Sequence, residues 1–226
     1  MKKVIVLIIS IMVIVSNVII TQAASNSGNI NSTVKWEVDN GTLRITGYEE
    51  IARKDNEVYS SWNDLSGQIV NIEIGEGITK IGRMAFWGFD RLTNISFPST
   101  LEVIEDHVFY GCYGLKSIKF PYGLKAIGEE VFESCYYLEN ISIPDSVVYI
   151  GSDAFEDTPW YKNQPDGLVY AGKVLLTYKG SIPENSTIAV KDGTKGIADC
   201  NTHSVLGYSS TNVTNIILPS SFRIYR

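Results

Sequence analysis

Hydrophobic side chains between residues 72 and 155 recur with a period of 23 residues. Four successive repeats keep their apolar positions in register, which is the sequence signature of a repeat fold. The equivalent positions are Ile72, Ile95, Ile118 and Ile141; Ile74, Phe97, Phe120 and Ile143; Ile78, Leu101, Leu124 and Val147; Ile81, Ile104, Ile127 and Ile150; and Phe86, Phe109, Phe132 and Phe155. One repeat cannot bury its apolar stripe alone, so stacked repeats must share a continuous core.

The order of residues within a repeat predicts its local structure. Ile72-Glu73-Ile74 and its copies alternate apolar and polar side chains, as a strand buried on one face does. Proline ends three of these strands because it cannot donate to a strand ladder. Glycine then predicts a permissive turn, followed by a short helical segment that carries the phenylalanine inward. The turn glycines are Gly82, Gly128 and Gly151. Together these features predict an α/β repeat solenoid, wound right-handed with about 23 residues per coil.

One repeat has a recognisable form: Leu115-Lys-Ser-Ile-Lys-Phe-Pro-Tyr-Gly-Leu-Lys-Ala-Ile-Gly-Glu-Glu-Val-Phe-Glu-Ser-Cys135. It resembles the BspA-like leucine-rich repeats of bacterial surface proteins, and the likeness extends from about Val34 to Leu218. The resemblance implies a secreted or cell-surface protein used for adhesion or host contact. It supplies no catalytic residues to transfer to this chain.

Two hairpins flank or interrupt the repeats. Residues 34–46 alternate on both sides of Asn40-Gly41, a strong hairpin signal, and predict a cap over the first coil. Residues 167–178 predict a second hairpin around Ala171-Gly172. The expected organisation is a signal peptide at 1–23, an N-terminal cap at 24–66, four repeats at 67–157, a hairpin insertion at 158–186, and degenerate repeats at 187–226, of which the last is incomplete.

The N-terminus carries the three parts of a secretory signal. Lys2 and Lys3 precede an apolar run that begins at Val4, and Thr21-Gln-Ala23 offers small residues for cleavage. The alternative is an uncleaved anchor, but an apolar stretch this short and interrupted is marginal for ~30 Å of hydrocarbon. The pattern therefore predicts a secreted or cell-surface protein with no stable membrane span after cleavage.

Composition limits the chemistry that the chain can perform. The net charge of −6 gives no basic surface for phosphates, so nucleic acid is not an expected partner. Two histidines and three cysteines leave little material for a metal centre or a nucleophile. The acidic groups at 129–133 and 153–157 lack the ligand spacing of a calcium loop and are expected to be a solvated face. We predict no cofactor, no metal and no catalytic residue.

The cysteines allow two interpretations. Cys112 and Cys135 lie one period apart and so occupy equivalent places on neighbouring coils. Export would permit a disulfide between them. Cysteine is also among the most buried residues as a small hydrophobe, and Phe89 fills the equivalent place in the first repeat, so buried thiols and no disulfide are favoured. Cys200 has no evident partner.

Two surfaces are candidates for ligand binding. The first is the polar ribbon, which consists of the residues that flank the central isoleucine of each strand: Asn71, Glu73, Asn94, Ser96, Ser117, Lys119, Asn140 and Ser142. The second is an aromatic cluster that follows each predicted helical segment: Trp87, Tyr110, Tyr113, Tyr136 and Tyr137, continued by Trp160 and Tyr161. Exposed aromatic residues are typical anchors for partners, but these rings can also pack between coils.

The leading hypothesis is a non-enzymatic leucine-rich-repeat protein that binds an unidentified protein or glycan ligand, in adhesion. One alternative is a structural spacer or the amino-terminal piece of a longer surface protein. A hydrolase is disfavoured, because Glu73 is the ribbon's only carboxylate and paired carboxylates are absent from it. At the other end, Ile216-Ile-Leu218 predicts a final strand with exposed apolar surface. We expect either that the chain self-associates through this end or that its natural form continues beyond Arg226.

Overall fold

The structure is a computed structural model that describes residues 26–51, 62–198, 212–220 and 222. The predicted signal peptide and Cys200 lie outside these residues. The strands are β1 (Ser27–Asn29), β2 (Lys35–Asp39), β3 (Thr42–Thr46), β4 (Glu49–Ile51), β5 (Asn71–Ile74), β6 (Ile78–Ile81), β7 (Asn94–Ser96), β8 (Val103–Ile104), β9 (Ser117–Lys119), β10 (Ala126–Ile127), β11 (Asn140–Ser142), β12 (Tyr149–Ile150), β13 (Gly167–Ala171), β14 (Val174–Lys179), β15 (Ser186–Ala189), β16 (Gly196–Ile197) and β17 (Val213–Ile217). The helices are α1 (Pro159–Lys162) and a 3-10 helix (Asn63–Gln68).

The first sheet joins the N-terminal cap to the repeats. Its strand order is β1-β2-β3-β5-β7. Strands β2 and β3 form the hairpin predicted around Asn40-Gly41, with Asp39 opposite Thr42. Strand β3 then pairs in parallel with β5, which places Leu43 beside Ile72. The hairpin therefore extends the sheet of the first repeat and covers its edge, as a cap must.

The second sheet repeats the same relationship on another side of the coils. Its order is β12-β10-β8-β6-β4, and all of its pairs are parallel. Ile104 pairs with both Ile81 and Ile127, each 23 residues away along the chain. We number the four repeats coils 1 to 4, beginning at Ile72, Ile95, Ile118 and Ile141. Each coil gives one strand to this sheet and one to the face formed by β5, β7, β9 and β11.

The segments that carry the core phenylalanines are turns, which corrects the predicted short helix and with it the α component of the repeats. Amide groups here alternate between two uses. Phe86 and Phe109 donate to the carbonyls of Val108 and Val131 in the next coil, whereas Cys112 donates back to Phe109. An α-helix would need each of these amides for its own i−4 bond, so bonding between coils excludes it.

Left-handed backbone conformations define these turns. Two equivalent positions in each coil have positive φ: Met84, His107, Glu130 and Asp153 at the first, and Gly88, Gly111, Ser134 and Asp157 at the second. A residue with positive φ ends any continuous right-handed helix. Most of these positions hold residues other than glycine. At the first position, the amides of Met84, His107 and Glu130 donate to carbonyls of the next coil, and these bonds hold the conformation.

The glycines predicted to permit the turn have a different role. Gly128 and Gly151 are not among the residues with positive φ. A Cβ at Gly151 would lie 2.5 Å from the Glu129 amide nitrogen, and one at Gly128 would lie 2.6 Å from that of Asp106. Both positions require glycine because the backbone of the preceding coil approaches too closely for any side chain.

The core is a continuous stack of aromatic rings across the coils. Phe86, Phe109, Phe132 and Phe155 are nearly parallel, with successive centroids 5.5, 5.4 and 5.8 Å apart. Trp62 extends the stack beyond coil 1 at 5.7 Å and donates its indole N–H to the Ala85 carbonyl. The repeated phenylalanine therefore ties each coil to the next through ring contact and burial.

The C-terminal part contains the predicted hairpin and two further parallel pairs. Strands β13 and β14 pair antiparallel around Gly172, with Ala171 opposite Val174. Strand β14 also pairs in parallel with β16, so the hairpin is part of a sheet and not only an interruption. Strand β17 pairs with β15, but Ile216, Ile217 and Leu218 remain 54%, 56% and 46% exposed.

Candidate binding face

The polar ribbon lies on the outer face of β5, β7, β9 and β11. In each strand the central isoleucine points to the core, so its two neighbours point to solvent. Seven of the eight ribbon residues are exposed, and Asn71 is half-buried. Parallel register places them in two rows, one beginning at Asn71 and the other at Glu73. The first sheet ends at β7, and β9 and β11 form a separate pair, so the ribbon spans two sheets.

Side chains in the first row form a short ladder in coils 1 and 2. The Asn94 Nδ2 group donates to Asn71 Oδ1 at 2.9 Å. Asn71 Nδ2 in turn donates to Thr42 Oγ1 at 3.4 Å on the cap. These amides are held in place by each other, so this end of the ribbon is preorganised.

Most of the remaining ribbon residues lack such bonds. Five ribbon residues make no side-chain hydrogen bond or ion pair with another residue in the described part of the chain: Ser96, Ser117, Lys119, Asn140 and Ser142. The hydroxyl and amide groups at these positions can both donate and accept hydrogen bonds, and the Lys119 ammonium group can donate them. This half of the ribbon therefore offers hydrogen-bonding capacity to a partner.

The outer face continues beyond the ribbon onto the cap, for which the sequence predicted only a covering role. Register places Arg44 beside Glu73 and Thr42 beside Asn71. Arg44 Nε donates to Glu73 Oε2 at 2.9 Å. The alternation of polar residues along residues 35–46 carried this signal, because a hairpin with an apolar inner face has a polar outer one.

The aromatic cluster divides into two ladders. Trp87 and Tyr110 are half-buried, with ring centroids 6.3 Å apart, so they pack between coils 1 and 2. Tyr113 and Tyr136 stack at 5.5 Å with 7° between their planes, and they are 44% and 49% exposed. Tyr137 is 60% exposed, while Trp160 and Tyr161 are half-buried. Only Tyr113, Tyr136 and Tyr137 of this set present a large surface to solvent.

Acidic groups gather on the turns of coils 3 and 4. Partial burial raises the pKa of Glu133 to about 7, and the carboxylates of Glu130, Asp153 and Asp157 add to the rise. His107 Nδ1 lies 3.3 Å from Glu130 Oε2. Among the residues that the structure describes, no three or more His, Cys, Asp or Glu side chains are placed to hold a metal ion.

Cys112 and Cys135 are both fully buried, and both are free thiols. Each Sγ donates to a carbonyl of the preceding coil, Cys112 to Phe86 at 3.3 Å and Cys135 to Phe109 at 3.2 Å. Burial raises the pKa of Cys135 to about 12 and that of Cys112 well above its ordinary value. Both sulfur atoms are therefore protonated at neutral pH, which is unfavourable for nucleophilic chemistry.

Comparison with known proteins identifies the repeats. Residues 59–163 match the BspA type leucine rich repeat region, in six copies. This part of the chain is a BspA-type leucine-rich repeat region, and the resemblance found in the sequence is confirmed. No curated protein sequence matches the chain significantly. The described helices include none with the length and apolar character to cross a membrane.

Solved leucine-rich-repeat structures are similar to this chain at low identity. A leucine rich repeat protein of T. pallidum shares 21% identity over 84% of this chain and 82% of its own, with a TM-score of 0.43. The pneumococcal vaccine antigen PcpA shares 15% identity over 87% of this chain, with a TM-score of 0.42. A leucine rich cell surface protein of Faecalibacterium prausnitzii shares 15% over 84%, with a TM-score of 0.39. This chain covers 50% of the antigen and 54% of the F. prausnitzii protein.

Proposed function

We propose that this chain is an exported, non-enzymatic repeat protein whose polar ribbon binds a macromolecule at the cell surface or outside the cell, in adhesion. The observation that carries the proposal is the placement of eight polar residues on the outer face of four successive strands, where five of them make no side-chain bond with another described residue. The basic and apolar segments at the N-terminus support export.

A right-handed solenoid of 23-residue coils is the architecture that we propose for this function. Parallel pairs that join residues 23 positions apart support it, since each coil then advances the chain by one strand spacing. Stacked strands of ~4.8 Å spacing give an extended face suited to an extended ligand.

The matched lysines of coil 3 provide the test. Lys119 lies on the ribbon, whereas Lys125 directly precedes β10 of the second sheet, and its Nζ is 2.7 Å from Glu102 Oε1. Residues 24–226 would be screened against arrays of glycans and extracellular matrix proteins. Charge reversal by Lys119→Glu should weaken any specific binding by about tenfold, as loss of a charged hydrogen bond does, while Lys125→Glu leaves it unchanged. Equal effects of both variants, or no binding by the wild type, would overturn the proposal.

A further inference from the structure

A pocket with charged and uncharged polar side chains in its wall lies on the cap, at the N-terminal end of the face that carries the ribbon. Its volume is about 400 Å³, within the range of small-molecule sites. Three neighbouring strands, β1, β2 and β3, supply its wall. The polar lining residues are Ser27, Asn29, Lys35, Glu37, Arg44 and Thr46.

Strand register explains why these residues meet. Ser27 pairs with Glu37, and Glu37 pairs with Arg44, which lies beside Glu73 of the ribbon. The second row runs from Asn29 through Lys35 to Thr46 in the same register. Since paired residues point to the same face of a sheet, the pocket opens on the face of the ribbon and is continuous with it.

The charged groups of the pocket do not form ion pairs with one another. Lys35 and Glu37 make no ion pair or side-chain hydrogen bond with another residue of the described ranges. Arg44 is bound through Nε to Glu73, and its terminal nitrogens have no such partner there. Cationic and anionic groups of the pocket therefore face one small volume without pairing with each other.

This mixture selects among ligands. Glu37 would repel a strongly anionic ligand, and Lys35 and Arg44 would repel a strongly cationic one. Apolar atoms also line the pocket, and they suit the C–H groups of a sugar ring. The Trp36 ring itself is packed against Gly28, with only 6% of the residue exposed. A ring of hydroxyl groups suits the pocket, since each hydroxyl both donates and accepts.

We propose that the pocket binds one unit of a neutral glycan whose other units extend along the polar ribbon. The inference rests on the proposed function of the ribbon and adds the chemical class of its ligand. Alternating contacts to carboxylate and cationic groups would fix the sugar's orientation, while the hydroxyl and amide side chains of coils 1 to 4 would hold the rest of the chain.

Glu37 and Asp39 give a matched pair for the test, because both are exposed carboxylates on the outer face of β2 and only Glu37 lines the pocket. Cellohexaose, maltohexaose, chitohexaose and mannohexaose would be titrated into residues 24–226 by calorimetry. At least one should bind saturably. Glu37→Gln and Lys35→Gln should each weaken it by about tenfold, and Asp39→Asn should leave it within about twofold.

Failure of this inference can be told from failure of the ribbon. Binding that is weakened by Lys119→Glu but unchanged by Glu37→Gln would keep the ribbon and overturn the pocket. Binding of a mixed Lys-Glu peptide in place of all four hexasaccharides would overturn the glycan class. If none of the four sugars binds, the inference is overturned, even where a matrix protein binds the ribbon. Circular dichroism of each variant would show that the fold is retained.

Discussion

The ring of Phe109 lies 5.4 Å from the ring of Phe132 in the next coil, with 13° between their planes. Both side chains are fully buried, and the backbone amide of Phe109 also donates to the carbonyl of Val131 beside Phe132. One residue therefore joins two coils by ring contact and by a hydrogen bond. Because repeat proteins are stabilised mainly by contacts between neighbours, this pair is a sensitive place to test the fold.

Phe109→Ala should destabilise the protein by about 3–5 kcal/mol, because it removes a buried ring and leaves a cavity between Phe86 and Phe132. Chemical denaturation followed by circular dichroism would measure the loss. Tyr122→Ala is the control, since Tyr122 is 87% exposed and its loss should change stability little. An unchanged unfolding curve for Phe109→Ala would contradict the repeat register.

Gly151→Ala should destabilise the protein by about 1–3 kcal/mol through overpacking. The new Cβ would lie 2.5 Å from the Glu129 amide nitrogen, so the backbones of coils 3 and 4 must separate. Gly67 lies in open space and is not among the residues with positive φ, so Gly67→Ala serves as the matched control. Thermal melts should show a lower midpoint for Gly151→Ala and an unchanged midpoint for Gly67→Ala.

Stability should depend on the ionisation of Glu133. The folded protein holds this proton up to about pH 7, whereas an unperturbed glutamate releases it near 4.5. Between these pH values the folded state binds more protons than the unfolded state, so the contribution of Glu133 to stability falls as pH rises.

Glu133→Gln should therefore raise stability at pH 8 by about 1 kcal/mol once solvent screening is counted, and the gain should vanish near pH 4.5. Urea unfolding at the two pH values would measure it. Glu139→Gln, at an exposed position of the same coil, is the control and should change little. An equal gain at both pH values would show that ionisation of Glu133 is not the cause.

The cysteines should all be thiols. Titration of the unfolded, unreduced protein should find three free groups, and a single group would reveal a disulfide. In the native state Cys112 and Cys135 should react slowly even at pH 9, because burial raises the pKa of both and excludes the reagent. Cys200→Ser should lower the count in the unfolded protein by one.

The C-terminal strand should mediate self-association, as we propose for its exposed edge. Ile216 and Leu218 occupy the pattern positions of Ile118 and Phe120, which are 6% and 4% exposed, but they are themselves about half exposed. Light scattering should show a mass that grows with protein concentration. The double variant Ile216→Lys and Leu218→Lys should stay monomeric, whereas Tyr122→Lys should behave as the wild type. A wild type that is monomeric at all concentrations would contradict the proposal.

The sequence alone determined which residues are equivalent and which face the core. The period of 23 residues assigned Phe86, Phe109, Phe132 and Phe155 to one buried column, and all four are buried. Alternation along Ile72-Glu73-Ile74 predicted strands with one outward polar face, and Asn40-Gly41 located a hairpin. These features can be predicted because hydrophobic periodicity and turn chemistry depend only on the order of residues along the chain.

Contacts between coils decided the rest. The phenylalanine segments are turns with left-handed residues because alternate amides bond to the next coil. Glycine is required at positions 128 and 151 because the backbone of a neighbouring coil lies close to each. Trp62 belongs to the aromatic stack although it does not match the 23-residue spacing. The cap also contains β1 and a pocket, which the sequence pattern did not predict. Such features depend on groups far apart in sequence, whose approach is set only when the coils stack and every buried amide must find a partner.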